Sequence, residues 1–139
     1  MFARSNPRVG AISRLEPFAG CSPDELERVA RHSDDVDLRE GQILMREGTS
    51  GRECFFIAEG EAVVRIDDEV IATVGPGEVV GEMAVLDHEP RSATVVAATP
   101  IRAIVMTAQQ FSAVADSCPS VAKRLMGTLA QRLREVQAA

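Results

Sequence analysis

The residues best suited to chemistry lie in one stretch, Gly81 to Val95, which reads GEMAVLDHEPRSATV. Arg91 offers a planar guanidinium that can pair with two oxygens of a phosphate at once. Backbone N–H groups at the start of a helical turn favour an anion. Ala84 would supply one such group, and the N–H and hydroxyl of Ser92 would add two donors. Glu82 offers a carboxylate, which accepts a strong hydrogen bond from a hydroxyl such as that of a sugar. Gly81 carries no side chain, so a ring can approach its backbone. Ala84 and Ala93 are small and leave room. These groups hold a ligand; none of them is a nucleophile activated by a neighbouring base. The plainer alternative is that Arg91 and Glu82 pair on a solvated surface, the usual fate of such charges.

Other reactive residue types are too few or too scattered for catalysis. The chain has two histidines. His32 falls near a helix end, where it suits the dipole, and His88 falls in a loop. A metal-dependent β-barrel enzyme needs several histidines on neighbouring strands, and phosphodiester hydrolysis needs a metal cluster. Neither pattern is present, and no Ser-His-Asp motif appears. The three cysteines, Cys21, Cys54 and Cys118, are odd in number and far apart in sequence, so they imply neither a disulfide framework nor a CxxC metal site. Reduced thiols are expected. The expectation is a protein that is not an enzyme and has neither metal nor cofactor.

The rest of the chain must position that stretch. At 139 residues there is room for one domain with one core. The hydrophobic fraction is 45%, with no Trp or Tyr, so aliphatic residues must fill the core. Met45, Met83 and Met106 read as core filling. The formal net charge of −6 argues against extended contact with nucleic acid. The N-terminus lacks the apolar run of a secretory signal. The most apolar stretch, about Ala93 to Ala108, is interrupted by Pro100 and Arg102 and is too short to span a bilayer. A cytoplasmic protein without membrane contact is expected.

Residues 1–10 read as a flexible tail and residues 11–139 as the domain. The first clear element starts at Ser22, where Ser22-Pro23-Asp24-Glu25 has capping-box spacing with Pro at the first helical position. From about 36 to 106 short β-branched or alternating runs follow: Val36–Leu38, Ile43–Met45, Phe55–Ala58, Ala62–Ile66, Val70–Val74, Ala93–Ala97 and Ile101–Met106. Glycines at 41, 48, 51, 60, 75 and 77 separate them. Strands this short with turns this frequent predict an all-β barrel or sandwich. Helical spacing returns over about 107–137. Phe111, Val114 and Ala115 fit a short helix that stops before Pro119. Val121, Ala122, Leu125, Met126, Leu129, Leu133 and Val136 stripe a longer one.

The stretch Gly81 to Val95 resembles the phosphate-binding cassette of the cyclic-nucleotide-binding domain family, which includes catabolite activator protein and the regulatory subunits of cAMP-dependent protein kinase. Gly81-Glu82 and Pro90-Arg91-Ser92-Ala93-Thr94-Val95 carry the match, and Gly41, Gly48, Phe56-Ile57, Gly60 and Gly75-Pro76-Gly77 fall at the family's turn and strand positions. The resemblance implies a mainly β fold: a double-stranded β-helix, or jelly-roll-like β-roll, with a short N-terminal helix and C-terminal helices. It also implies a ligand, cAMP in the first place and cGMP as the alternative. Gly81, Glu82, Met83, Ala84, Arg91, Ser92 and Ala93 would hold its phosphate and ribose. Counted from Arg91, the adenine-contacting pair of catabolite activator protein falls at Val136 and Gln137. Gln137 can donate and accept there, whereas Val136 cannot.

The function so implied is a non-catalytic sensor or regulatory module acting through an effector protein. The alternative is a Crp/Fnr-type regulator or a kinase regulatory subunit seen without its effector domain. No helix-turn-helix pattern follows within this sequence, so DNA contact by this chain is not expected. The last helix resembles the family's dimerisation helix, since Ala122, Leu125, Leu129 and Val136 approximate a heptad seam that Arg132 breaks. Packing of the same stripe back onto the barrel leaves homodimer and monomer both open. Lys123, Arg124, Arg132 and Arg134 read as the solvated face.

Overall fold

The computed structural model describes residues 7–82 and 89–138. Two four-stranded antiparallel sheets make a jelly roll, with helices packed at its N- and C-terminal ends. The strands are β1 (Asp34–Leu38), β2 (Ile43–Met45), β3 (Glu53–Glu59), β4 (Ala62–Ile66), β5 (Glu69–Val74), β6 (Val79–Val80), β7 (Thr94–Ala97) and β8 (Ile101–Thr107). One sheet has the order β1-β8-β3-β6 and the other β2-β7-β4-β5. The helices are α1 (Pro7–Ser13), α2 (Pro23–Arg31), α3 (Ala108–Ser117) and α4 (Pro119–Ala138), with a 3-10 turn at Glu16–Phe18. Among the described residues no helix is long and apolar enough to cross a membrane.

Strands β3 and β8 are buried on both faces, because each separates two cores. A strand alternates its side chains. Cys54 and Phe56 of β3, with Ile104 and Met106 of β8, face the helices and join Ile12, Phe18, Val29 and Val121. Phe55 and Ile57, with Ala103 and Val105, face the interior of the roll and join Ala62, Val80 and Val95. Near-continuous apolar runs at 54–57 and 103–106 are the sequence form of this double burial.

Local chemistry fixes the helix starts. The Ser22 hydroxyl accepts from the Glu25 N–H at 3.2 Å, and a Glu25 carboxylate oxygen accepts from the Ser22 N–H at 2.9 Å. The same reciprocal box starts α3. There the Gln110 N–H donates to the Thr107 hydroxyl at 3.1 Å and the Thr107 N–H to the Gln110 amide oxygen at 2.8 Å. His32 is the C-terminal cap residue of α2.

Three features differ from the sequence-based expectation. Helix α1 begins at Pro7, inside the segment expected to be a tail, and its Ala11 and Ile12 are buried. Strand β6 is only two residues long, too short to announce itself, but it closes the edge beside β3. Arg124 is more than a solvated charge: its guanidinium meets the Glu16 carboxylate at 3.1 Å, which ties α4 to the 3-10 turn. The apolar stripe of α4 packs back onto the domain through Val121 and Leu125, while Met126 stays 67% exposed.

Candidate functional site

The inner face of the β2-β7-β4-β5 sheet and the segment after β6 enclose a cavity of about 440 Å³. Met45, Val64 and Val95 give it an apolar wall, and Ala72, Thr73 and Val74 of β5 line it further. Facing them are Gly81, Glu82, Arg91, Ser92 and Ala93. Five of the eight residues singled out from the sequence therefore meet around one space. Met83 and Ala84 lie outside the described residues, as does His88. Gln137 falls in α4, with its side chain outside the described set.

Glu82 and Arg91 are each only 7% exposed, which rules out a solvated surface pair. The Arg91 guanidinium donates through Nη1 to the Gly81 carbonyl at 3.2 Å, and among the described residues it makes no ion pair. Burial lowers its pKa, while the negative charge of Glu53 acts the other way. A guanidinium stays protonated in any such setting. The result is a desolvated cation on the wall of a cavity, which an anion with two oxygens would satisfy. Ser92 is exposed at the rim, and Ala93 is buried and leaves room beside it.

Backbone geometry explains why this arrangement forms. Gly81 has φ +86, in the left-handed region that favours glycine. A side chain there would also meet Arg91 Nη1 at 2.7 Å and the Glu53 carbonyl at 2.8 Å. Arg91 is held from behind by the loop joining β2 to β3. Its N–H donates to the Thr49 carbonyl at 2.9 Å and its carbonyl accepts from the Gly48 N–H at 2.8 Å. Thr94 points away from Ala93, as strand alternation requires. Its hydroxyl accepts from the Glu47 N–H at 2.9 Å and adds a third tie to the same loop.

Cys54 lies beneath the site. Burial first, then the Glu82 carboxylate, pushes its thiol from the ordinary 9.0 up to about 12. A neutral buried thiol is inert. A thiol reagent at pH 8 should therefore leave Cys54 unlabelled in the native protein and label it once denaturant is added. Equal labelling of all three cysteines in the native state would contradict the burial. The sign for stability follows: the unfolded thiol ionises above about 9 and the folded one only near 12, so this group weakens the fold as pH rises through that window.

Sequence reasoning missed the far wall of the cavity. Met45 was expected as core filling and also faces the cavity; Val64 and Ala72 were seen only as strand residues. Their only signal was the β-branched character of β4 and β5, which marks strands without saying what they enclose.

The profile of the cyclic nucleotide-binding domain matches residues 35–118. The chain is 34% identical over 110 residues to the Pycsar effector protein XpPycTIR of Xanthomonas perforans, which covers 78% of this chain and 36% of that protein. The crystal structure of Thermus thermophilus catabolite activator protein superposes with a TM-score of 0.81 at 27% identity, covering 88% of this chain and 60% of that one. The structure of Sp-2Cl-cAMPS bound to PKAR CBD2 does so with a TM-score of 0.74 at 25% identity, covering 91% and 87%. The chain thus spans about a third of the length of the first of these relatives. With the profile match extending over most of the roll and the fold superposing throughout, this chain belongs to the cyclic nucleotide-binding domain family.

Proposed function

We propose that this chain binds a cyclic nucleotide, with cAMP as its preferred ligand, and does no chemistry on it. The observation that carries this reading is Arg91, a buried cation without an ion pair among the described residues, on the wall of a cavity of about 440 Å³ that Glu82 also lines. The guanidinium takes the two exocyclic phosphate oxygens and Ser92 adds a donor. Glu82 accepts from the ribose 2′-hydroxyl, and the apolar wall of β4 and β5 receives the base. Gly81 and Ala93 complete the cradle, the sequence offers Met83 and Ala84 as further contacts, and Gln137 is the candidate for base recognition. The ligand is a signal, not a cofactor, and cGMP is the alternative.

The role that suits such a domain is that of a cytoplasmic sensor or regulatory module. It acts through an effector protein and touches neither nucleic acid nor membrane itself. A second reading, a Crp/Fnr-type regulator or regulatory subunit represented by its nucleotide domain, is supported by the superposition on catabolite activator protein and on PKAR CBD2. A homodimer through α4 would give the exposed Met126 a partner.

Calorimetric titration with cAMP and cGMP tests the ligand, and chromatography after prolonged incubation tests the absence of chemistry. The expected result is stoichiometric binding with cAMP recovered intact. AMP appearing from a pure, metal-free sample would refute the non-catalytic part.

A further inference from the structure

Gly51 sits in the β2–β3 loop, far from Arg91 in sequence, yet a Cβ built on it would overlap Nε, Cζ and Nη2 of Arg91. The guanidinium thus occupies the space that a side chain at 51 would fill. A Cβ on Gly81 would meet a further atom of the same group, Nη1, at 2.7 Å. The two bare Cα positions together leave the slot that the guanidinium takes. The loop cannot drift from it, because Gly48 and Thr49 pair with the Arg91 backbone at 2.8 and 2.9 Å.

Gly51 differs from the neighbouring turn glycines in one respect. Gly41, Gly48 and Gly60 all have positive φ, which explains them as backbone requirements; Gly51 does not. Its backbone accepts any L-residue, and the atoms a side chain would strike are the far end of a flexible arginine. A substitution here would leave the fold alone and move the guanidinium.

We infer that Gly51 is a positioning residue for the ligand phosphate, setting the plane and depth of the Arg91 guanidinium through the slot it forms with Gly81. This rests on the cyclic-nucleotide reading. A bidentate pair requires both N–H bonds to point at both oxygens, so the fork must be held at one angle. A methyl on Gly51 lifts the fork out of the slot and leaves its charge intact.

The test is a cycle of four proteins: wild type, Gly51→Ala, Arg91→Lys and the double variant, each titrated with cAMP and melted thermally. Gly51→Ala should weaken cAMP binding roughly ten- to a hundredfold, the scale on which misplacing a positioned group by an ångström acts. Its melting temperature should stay the same or rise, since Gly→Ala restricts the unfolded chain. In the Arg91→Lys background the same change should cost far less, because the ammonium is a point charge on a flexible stem and has no fork angle for a Cβ to spoil. Wild type failing to bind either cAMP or cGMP would overturn the functional reading and this inference with it. Wild type binding while Gly51→Ala binds equally well would overturn the slot alone. So would a loss that persists in full with lysine at 91, or a fall in melting temperature, either of which would make Gly51 an ordinary structural residue.

Discussion

Arg91→Ala should cost cAMP binding about 2–5 kcal/mol, the range for removing one partner of a buried charge pair. That corresponds to roughly 30- to 5,000-fold in Kd. The magnitude follows from burial. At 7% exposure the guanidinium has already lost most of its water, so its interaction with a phosphate is screened far less than a surface pair. Arg91→Lys should also lose affinity, because a point charge cannot span two oxygens. Glu82→Gln should be milder, since an amide oxygen still accepts from a ribose hydroxyl. Titration calorimetry with circular dichroism as a check on folding decides it. Unchanged affinity in a folded Arg91→Ala protein would remove Arg91 from the site.

Phe56→Ala should produce the largest loss of stability, about 3–5 kcal/mol, as for other fully buried phenylalanines. Phe56 is 0% exposed and packs against Phe18, with ring centroids 5.2 Å apart and planes tilted by 59°. It sits on β3, opposite Ile104 of β8 and Val79 of β6, so the surrounding backbone is fixed by ladders on both sides and cannot collapse into the space left. Folded domains are stable by only about 5–15 kcal/mol, so one such change takes a large share. Equilibrium denaturation would measure it; a loss under about 1 kcal/mol would mean that the helices repack freely against the sheet.

Much of this architecture was legible because its signals are local. Seven strands were visible as runs of β-branched and apolar residues between glycines, and the Ser22 box announced α2. The Gly81 to Val95 stretch stood out because its residue types suit a phosphate and a hydroxyl together. What stayed hidden depends on contacts distant in sequence. Helix α1 holds Gly10 at its centre, a poor local signal, and is kept helical by burying Ala11 and Ile12. The Thr107 box has the same spacing as the Ser22 box, but it follows directly on β8, where strand character masks it. Gly51 looked like any turn glycine, and only its contact with Arg91 sets it apart. The Glu16–Arg124 pair joins residues from opposite ends of the chain, which no pattern within a window can reveal.

The place of β8 in its sheet also governs how the chain can fold. It lies between β1 and β3 and pairs with residues 34–38 on one side and 53–59 on the other. Those partners are made long before Ile101 exists. Pairings of such sequence separation slow folding, because loop closure must precede the contacts that reward it. Every described residue lining the cavity precedes position 96, yet the sheet beneath Glu82 and Arg91 lacks its central strand until β8 inserts. On the ribosome, a nascent chain would therefore carry these cavity-lining side chains for some time before it could hold them in place.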